Sequence, residues 1–398
     1  MTEREKILNI LLRVYRDRAF ASLLMRRQDF SKEEAGFITE CVYGTIRSRS
    51  LLEYQYAPFV KHISVRSACL LQMTVYQMFF MDSVPDYAAV SEAVGLAKKS
   101  EKGFINSVLR KVQKQQLVLP EEPYIRYSHP KWIYDLWKAH YGAEKAEAIM
   151  RSDQERAAVY GRINTLKYAK EEAEKEGFVF LDDLCFKAEG PLTQSERFLN
   201  GCVLIQNRNS QKIPAVLQPR PGMNVLDACA APGTKTQQIA MMMGNRGSVT
   251  ACDLYENRVS LIRQLMDRCG VTICEARTAD ASQPGTFEAE SFDRILLDVP
   301  CSGLGDLCGK PEIRWNTKPE DLDAITALQA KILQANAPYL KKDGLLVYST
   351  CTLNKKENEK QVQAFLASAP DFELLEEKTL FPDETDGDGF YYALMRKC

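Results

Sequence analysis

Asn224-Val225-Leu226-Asp227-Ala228-Cys229-Ala230-Ala231-Pro232-Gly233-Thr234-Lys235-Thr236 passes from an apolar run through a tract of small residues into a helical pattern. Small side chains let a backbone pass close to a ligand, and the start of the following helix presents unpaired amides. The stretch reads as a strand, a ligand-binding turn and a helix. Further strand candidates lie at 248–253, 271–276, 292–298 and 344–349, alternating with helical stretches near 235–243, 255–269, 320–337 and 356–367. Strands separated by helices of this length imply βαβ units and a doubly wound, mostly parallel, Rossmann-like sheet. Ligands of such folds bind outside the carboxyl ends of the strands.

The second strand candidate ends at Asp253, where a carboxylate can take both hydroxyls of a ribose. On that feature alone a nicotinamide-dependent oxidoreductase fits as well as any other user of a nucleoside cofactor. The turn lacks the Gly-x-Gly-x-x-Gly of a pyrophosphate loop and the Gly-x-x-x-x-Gly-Lys-Ser/Thr of a P-loop.

The first 120 residues have a different period. Ile7, Leu8, Leu11, Leu12, Val14 and Tyr15 form one apolar stripe at helical spacing. Phe37, Ile38, Cys41, Val42 and Ile46 form another, behind a capping pattern at Ser31 and Glu34. With further stripes at 70–78 and 88–97 they describe an all-α domain. Residues 1–119 carry 18 Lys+Arg against 12 Asp+Glu, and the remainder 34 against 41. A basic segment ahead of an acidic one points to an RNA-facing module. Arg47, Arg49, Lys98, Lys99, Arg110 and Lys111 are its candidate contacts. Residues 127–209 are mixed: a helix opening at Pro130, a strand-like run from Arg162, a helix at 171–176 and a strand candidate at 202–206. The expected domains are 1–125, all-α; 126–212, linking helices and a small α/β subdomain; and 213–398, the cofactor-binding domain.

Over 398 residues, 45% hydrophobic and 26% charged content suits a multidomain globular chain and excludes a disordered one. No stretch approaches the roughly 20 apolar residues of a membrane helix, and the charged N-terminus does not resemble a secretory signal. Twelve cysteines include no Cys-x-x-Cys pair and the chain has three histidines, which argues against a zinc site or a disulfide framework. These features predict a cytoplasmic monomer with neither metal nor membrane association.

Tyr43-Gly44-Thr45-Ile46-Arg47, Val84-Pro85-Asp86-Tyr87-Ala88-Ala89-Val90-Ser91-Glu92-Ala93-Val94 and Gly103-Phe104-Ile105-Asn106-Ser107-Val108-Leu109-Arg110 resemble, in order and spacing, the NusB-like RNA-binding domain. The tract Cys229–Lys235 is similar to the Cys-Ala-Ala-Pro-Gly-Gly-Lys element of RNA cytosine-5 methyltransferases, the Nol1/Nop2/Sun family, with Thr234 in place of the second glycine. Lys310-Pro311-Glu312-Ile313-Arg314-Trp315, Glu357-Asn358-Glu359 and Gly387-Asp388-Gly389-Phe390 match the same family. The resemblance implies a class I methyltransferase domain using S-adenosyl-L-methionine. It implies that Cys229, Ala230, Ala231, Pro232, Gly233, Thr234 and Lys235 bind that cofactor, with Asp253 on the ribose and Asp280 near the adenine. Asp298 would face both the methionine end and the target base. A NusB-like domain ahead of such a catalytic domain resembles bacterial enzymes acting on 16S rRNA, free or in an early small-subunit particle. A tRNA or other rRNA substrate is an alternative, as is a catalytically dead RNA-binding or antitermination protein.

The chemistry of such a reaction sets its own demands. C5 of cytosine is a poor nucleophile, and adding a thiolate to C6 makes C5 enamine-like. Cysteine offers most nucleophile near neutral pH. An acid near the ring must stabilise charge arriving at N3 and the exocyclic amine, and a base must then remove the C5 proton. Asp298-Val299-Pro300-Cys301-Ser302-Gly303 follows one strand candidate and Tyr348-Ser349-Thr350-Cys351-Thr352 another, so both cysteines belong at one sheet edge. Chemistry alone does not choose between them. A Pro-Cys cysteine attacks in DNA cytosine-5 methyltransferases, whereas the resembled RNA family uses the Thr-Cys one. The resemblance therefore implies Cys351 as nucleophile, Cys301 in product release and Asp298, carrying or donating a proton, at the base. Arg314 and Trp315 are candidates for RNA contact by charge and stacking, with core packing as the alternative for Trp315.

Overall fold

The computed structural model describes residues 1–398 apart from Arg27, Asp29, Glu189 and Pro191. The chain divides into two compact units. One comprises residues 1–156 and 307–318, the other residues 157–306 and 319–398.

The first unit is helical because its apolar residues recur at helical spacing and its helices are capped. Ser31 and Glu34 close a reciprocal capping box at Lys32–Arg47, as the sequence pattern predicts, and Thr2 and Glu5 close another at the start of Glu3–Asp17. Helix Val65–Phe80 is buried over most of its circumference, and Thr74 and Gln77 satisfy their side chains on the Leu70 and Met73 carbonyls of the preceding turn. Gly44 is required where it stands, since a Cβ there would lie 1.9 Å from the ring of Tyr76.

The segment 307–318 packs within this unit although it falls far along the chain. The Trp315 indole N–H donates to the Ile46 carbonyl at 2.9 Å, and its ring rests against the helical core. Arg49 lies over both the Trp315 ring (5.0 Å) and the Tyr15 ring (4.3 Å). The Arg314 guanidinium is fully buried and donates to the carbonyls of Ser128, Leu307 and Asp153. Burial lowers its pKa to about 10. Arg314 is therefore an internal tether and not an RNA contact, and Trp315 takes the packing role. Arg49 is held between aromatic rings and Arg47 donates to the Cys308 carbonyl at 3.4 Å, whereas Lys98, Lys99, Arg110 and Lys111 are exposed.

The second unit holds, among the described residues, two sheets. A small antiparallel one comprises β1 (Tyr160–Ile163), β2 (Cys185–Lys187) and β3 (Val203–Ile205) in the order β2-β1-β3. The large one comprises β4 (Asn224–Asp227), β5 (Ser248–Asp253), β6 (Cys274–Thr278), β7 (Phe292–Asp298), β8 (Leu340–Thr350), β9 (Phe372–Leu380) and β10 (Phe390–Lys397). Its order is β6-β5-β4-β7-β8-β10-β9, parallel from β6 to β8, with β10 antiparallel to both its neighbours. The strand order reverses direction between β4 and β7, which opens a crevice at their carboxyl ends.

Strands β4, β5 and β7 have the bounds that the sequence pattern predicts; β6 begins later and β8 is longer at both ends. Patterning does not single out β2 or β9. Strand β9, Phe372-Glu373-Leu374-Leu375-Glu376-Glu377-Lys378-Thr379-Leu380, has a composition poor in β-formers. It is held by its partner: Tyr391 and Tyr392 donate their hydroxyls to Glu377 and Glu376, and Arg396 pairs with Glu373. No described helix is long and apolar enough to cross a membrane.

Removing the Trp315 ring should uncover helical core and orphan the Ile46 carbonyl. Trp315→Ala is expected to lower stability by about 2–3 kcal/mol, less than for a fully buried tryptophan. Urea unfolding followed by helical circular dichroism measures it.

Candidate active site

At the carboxyl end of β4 the chain enters the small-residue turn. Ala230 donates its amide to the Cys252 carbonyl, and Gly233, at φ 103°, donates to the Ala230 carbonyl at 2.7 Å before helix Thr234–Met242 begins. A cavity of about 450 Å³, within the range of small-molecule sites, opens beside this turn. Cys229 and Ala231 line it, together with Asp253, Asp280, Asp298, Cys301 and Cys351. Ala230, Pro232, Gly233 and Thr234 shape the turn behind the lining, and Lys235 reaches the site through Asp298. Leu254, Tyr255, Arg258 and Leu328 complete the mouth, none of them singled out by sequence.

Asp253 is 4% exposed. One of its oxygens accepts the Ala231 amide at 3.3 Å and faces Arg258 at 3.5 Å, while the other is buried without a hydrogen-bond partner. A buried carboxylate oxygen lining a cavity in this way fits a ligand that brings a donor, as a ribose hydroxyl does. Asp280 accepts the amide and hydroxyl of Ser282, which hold its pKa below the ordinary carboxylate value. Behind the turn, Asp227 is fully buried and accepts the Thr236 hydroxyl at 2.7 Å. Burial raises its pKa to about 7, the Thr236 hydrogen bond opposing.

The turn also rests on a polar cluster that sequence reading left as part of a short strand. Arg162 of β1 is fully buried and donates to Gln206 at 2.7 Å, Gln237 at 2.6 Å and the Thr234 carbonyl at 3.1 Å. Burial lowers its pKa to about 9. Gln237 in turn donates to Asn164. The Arg-x-Asn spacing within the 162–164 run is the one sequence signal for it.

Strands β7 and β8 pair in parallel with Asp298 opposite Ser349. Cys301 and Cys351 thus leave the same edge, and their sulfurs lie 3.3 Å apart as free thiols. The Cys301 thiol is pushed well above its ordinary value by the hydrogen bond to Cys351, then by burial. Either sulfur can donate in this contact. Asp298 accepts the Lys235 ammonium at 2.7 Å on one oxygen and the Ser349 hydroxyl at 2.9 Å on the other. Both oxygens of Asp298 act as acceptors here, and the charged donor beside it is Lys235.

Both cysteine loops are braced. Asn358 accepts the Thr350 hydroxyl at 2.6 Å and donates to the Thr352 carbonyl at 2.9 Å, so it spans Cys351 from either side. The Gly305 amide donates to the Cys351 carbonyl and the Gly389 amide to the Gly305 carbonyl. A Cβ on Gly305 would lie 2.0 Å from the Gly389 oxygen and 2.9 Å from that of Cys351. Among the described residues no group of three or more His, Cys, Asp or Glu is arranged to hold a metal.

A sheet of this order, with a cavity at its strand reversal, is a methyltransferase fold. Residues 214–396 match the model of the 16S rRNA methyltransferase RsmB/F family, residues 1–114 the NusB family, and residues 129–176 the ferredoxin-like domain of RsmF/B-like methyltransferases. A probable ribosomal RNA small subunit methyltransferase B of Bacillus subtilis is 36% identical, over 99% of this chain and 98% of its own. The ribosomal RNA small subunit methyltransferase B of Proteus mirabilis is 33% identical, over 93% and 92%. A methyltransferase homolog from Pyrococcus horikoshii, known from its crystal structure, is 30% identical with a TM-score of 0.62, over 69% of this chain and 98% of that one. The chain belongs to the RsmB/F family of 16S rRNA methyltransferases, with an N-terminal NusB domain.

Asp227 provides a pH test of the buried turn. Its folded pKa lies above its unfolded value, so its contribution to stability is full below about pH 4 and is lost as pH rises toward 7. The stability of the wild type relative to Asp227→Asn should fall across that window by on the order of 3 kcal/mol. Urea titrations of both proteins at pH 4.5, 6 and 7.5 measure the difference.

Proposed function

We propose that the protein transfers a methyl group from S-adenosyl-L-methionine to C5 of a cytosine in 16S rRNA, through a covalent bond between Cys351 and C6. The observation that carries the reaction type is the sulfur pair beside the Lys235–Asp298 ion pair, within one cavity edge. The cofactor reading rests on charge: among the described residues, Asp253, Asp280 and Asp298 line the cavity against a single cation, Arg258. Such a lining suits a sulfonium and an ammonium and opposes the pyrophosphate of a nicotinamide dinucleotide. Asp253 would hold the ribose, Asp280 the adenine side, and Asp298 the methionine end. When bound, S-adenosyl-L-methionine supplies an electrophilic methyl group to C5.

The Cys351 thiolate adds to C6, and the C5–C6 π electrons make C5 the nucleophile. Asp298 accepts the exocyclic amine of the base, while the Lys235 ammonium stabilises charge gathering on the ring. After methylation a base takes the C5 proton, the C5–H bonding pair re-forms the C5–C6 double bond, and the C6–S bond breaks with its electrons returning to Cys351 as thiolate. Cys301 assists this release. We assign 1–125 as the RNA-binding domain, 126–212 as the connecting subdomain and 213–398 as the catalytic domain, acting as a cytoplasmic monomer. Lys98, Lys99, Arg110 and Lys111 are the assigned phosphate contacts, now without the internally engaged Arg47 and Arg49.

Two variants separate the cysteine roles. Incubated with 16S rRNA and S-adenosyl-L-methionine, Cys301→Ala should give a slow-migrating RNA-linked band on a denaturing gel, and Cys351→Ala none. The reverse pattern would make Cys301 the nucleophile. Asp253→Ala should weaken cofactor binding by at least about tenfold, read by thermal shift against S-adenosylhomocysteine. Replacing Lys98, Lys99, Arg110 and Lys111 by Gln should weaken RNA binding and flatten its salt dependence, by about 0.7–0.9 in log–log slope for each phosphate no longer neutralised. An unchanged slope would remove this face from the RNA site.

A further inference from the structure

Glu357 is a buried carboxylate that the reaction scheme leaves without a role. It is fully buried six residues beyond Cys351, just before helix Glu359–Ser368. Four donors converge on its two oxygens: the Ser302 amide at 2.9 Å, the Ser302 hydroxyl at 2.5 Å, Asn354 at 2.9 Å and Gln329 at 3.0 Å. Four accepted hydrogen bonds match the capacity of an ionised carboxylate. No ion pair joins it to a described Lys, Arg or His.

The placement of those donors is specific. Ser302 directly follows Cys301, and Gln329 also donates to the carbonyl of Pro300, which directly precedes it. Asn354 lies three residues beyond Cys351. One carboxylate thereby joins the two loops that carry the sulfurs. Its charge sits against the Cys301 side, where it adds to the causes that push that thiol up. A negative charge nearer one of two thiols sharing a proton drives the proton to that thiol.

We propose that Glu357 is a positioning residue that locks the two cysteine loops together and keeps the proton of the sulfur pair on Cys301, leaving Cys351 as the thiolate. This rests on the sulfur pair being the reacting centre. The arrangement explains how two adjacent cysteines acquire different roles: Cys301 donates S–H to the sulfur that attacks. Glu357→Gln removes the charge and replaces an acceptor oxygen with an amide that faces donors, so it breaks the device both electrically and geometrically. Glu357→Asp keeps the charge while shortening its reach.

Limited alkylation of the full-length protein with iodoacetamide at pH 7.5, followed by peptide mass spectrometry, reads the sulfur preference without RNA or cofactor. The wild type should favour Cys351 by about tenfold or more, the ratio of one pKa unit. Glu357→Gln should cut that preference at least about threefold, and Glu357→Asp should recover most of it. An equal preference in all three proteins, or equal loss in both variants, overturns the proposal. A second measurement leaves Glu357 in place: in Cys351→Ser, Cys301 should stay about tenfold less reactive than a free thiol. Full reactivity there overturns it even if Glu357→Gln does not fold. Failure of the RNA-linked band with an intact alkylation preference would instead refute the methylation reaction.

Discussion

Parallel pairing of β7 with β8 is the constraint on which the site depends. With Asp298 opposite Ser349, residues some fifty positions apart in sequence leave one sheet edge side by side, and the two sulfurs come within 3.3 Å. A slip of one residue would send alternate side chains to the opposite face. The register is specified by the burial of both faces: Ile295, Leu296, Leu297, Leu346, Val347 and Tyr348 are each fully buried. Hydrophobic packing on either side of the sheet thus sets the geometry of the polar site at its end.

The polar groups around that centre are placed to be satisfied. A buried donor or acceptor without a partner costs about 1–3 kcal/mol, so a complete network makes the arrangement it completes strongly preferred. Asn358 and Glu357 use this around the cysteine loops, each filling hydrogen bonds from residues on both sides of a turn. Arg162 does the same beneath the cofactor turn, where its guanidinium reaches Gln206, Gln237 and the Thr234 carbonyl. At the cavity lining itself, one oxygen of Asp253 is buried without a partner.

Much of the architecture was legible in the chain because local pattern and tertiary environment agree. The helical stripes, the capping box at Ser31, and strands β4, β5 and β7 follow from periodicity and end signals. The reading failed where a partner element supplies what the segment lacks. Strand β9 is glutamate-rich and becomes a strand through the tyrosine hydroxyls and arginine of β10. Arg314 is charged and so reads as a surface residue, yet it is buried against three carbonyls that local sequence does not announce.

The sequence by itself determined the residue types available to the chemistry: two cysteines at strand ends, acids closing successive strands, and a turn of small residues. Those depend on local spacing, which a linear pattern records. Tertiary structure alone decided that the two sulfurs meet, that Asp298 accepts from Lys235, and that 307–318 packs with the helical unit. Proton placement depends on charges and burial contributed by residues distant in the chain. Electrostatic interaction follows separation in space, and only the fold sets that separation.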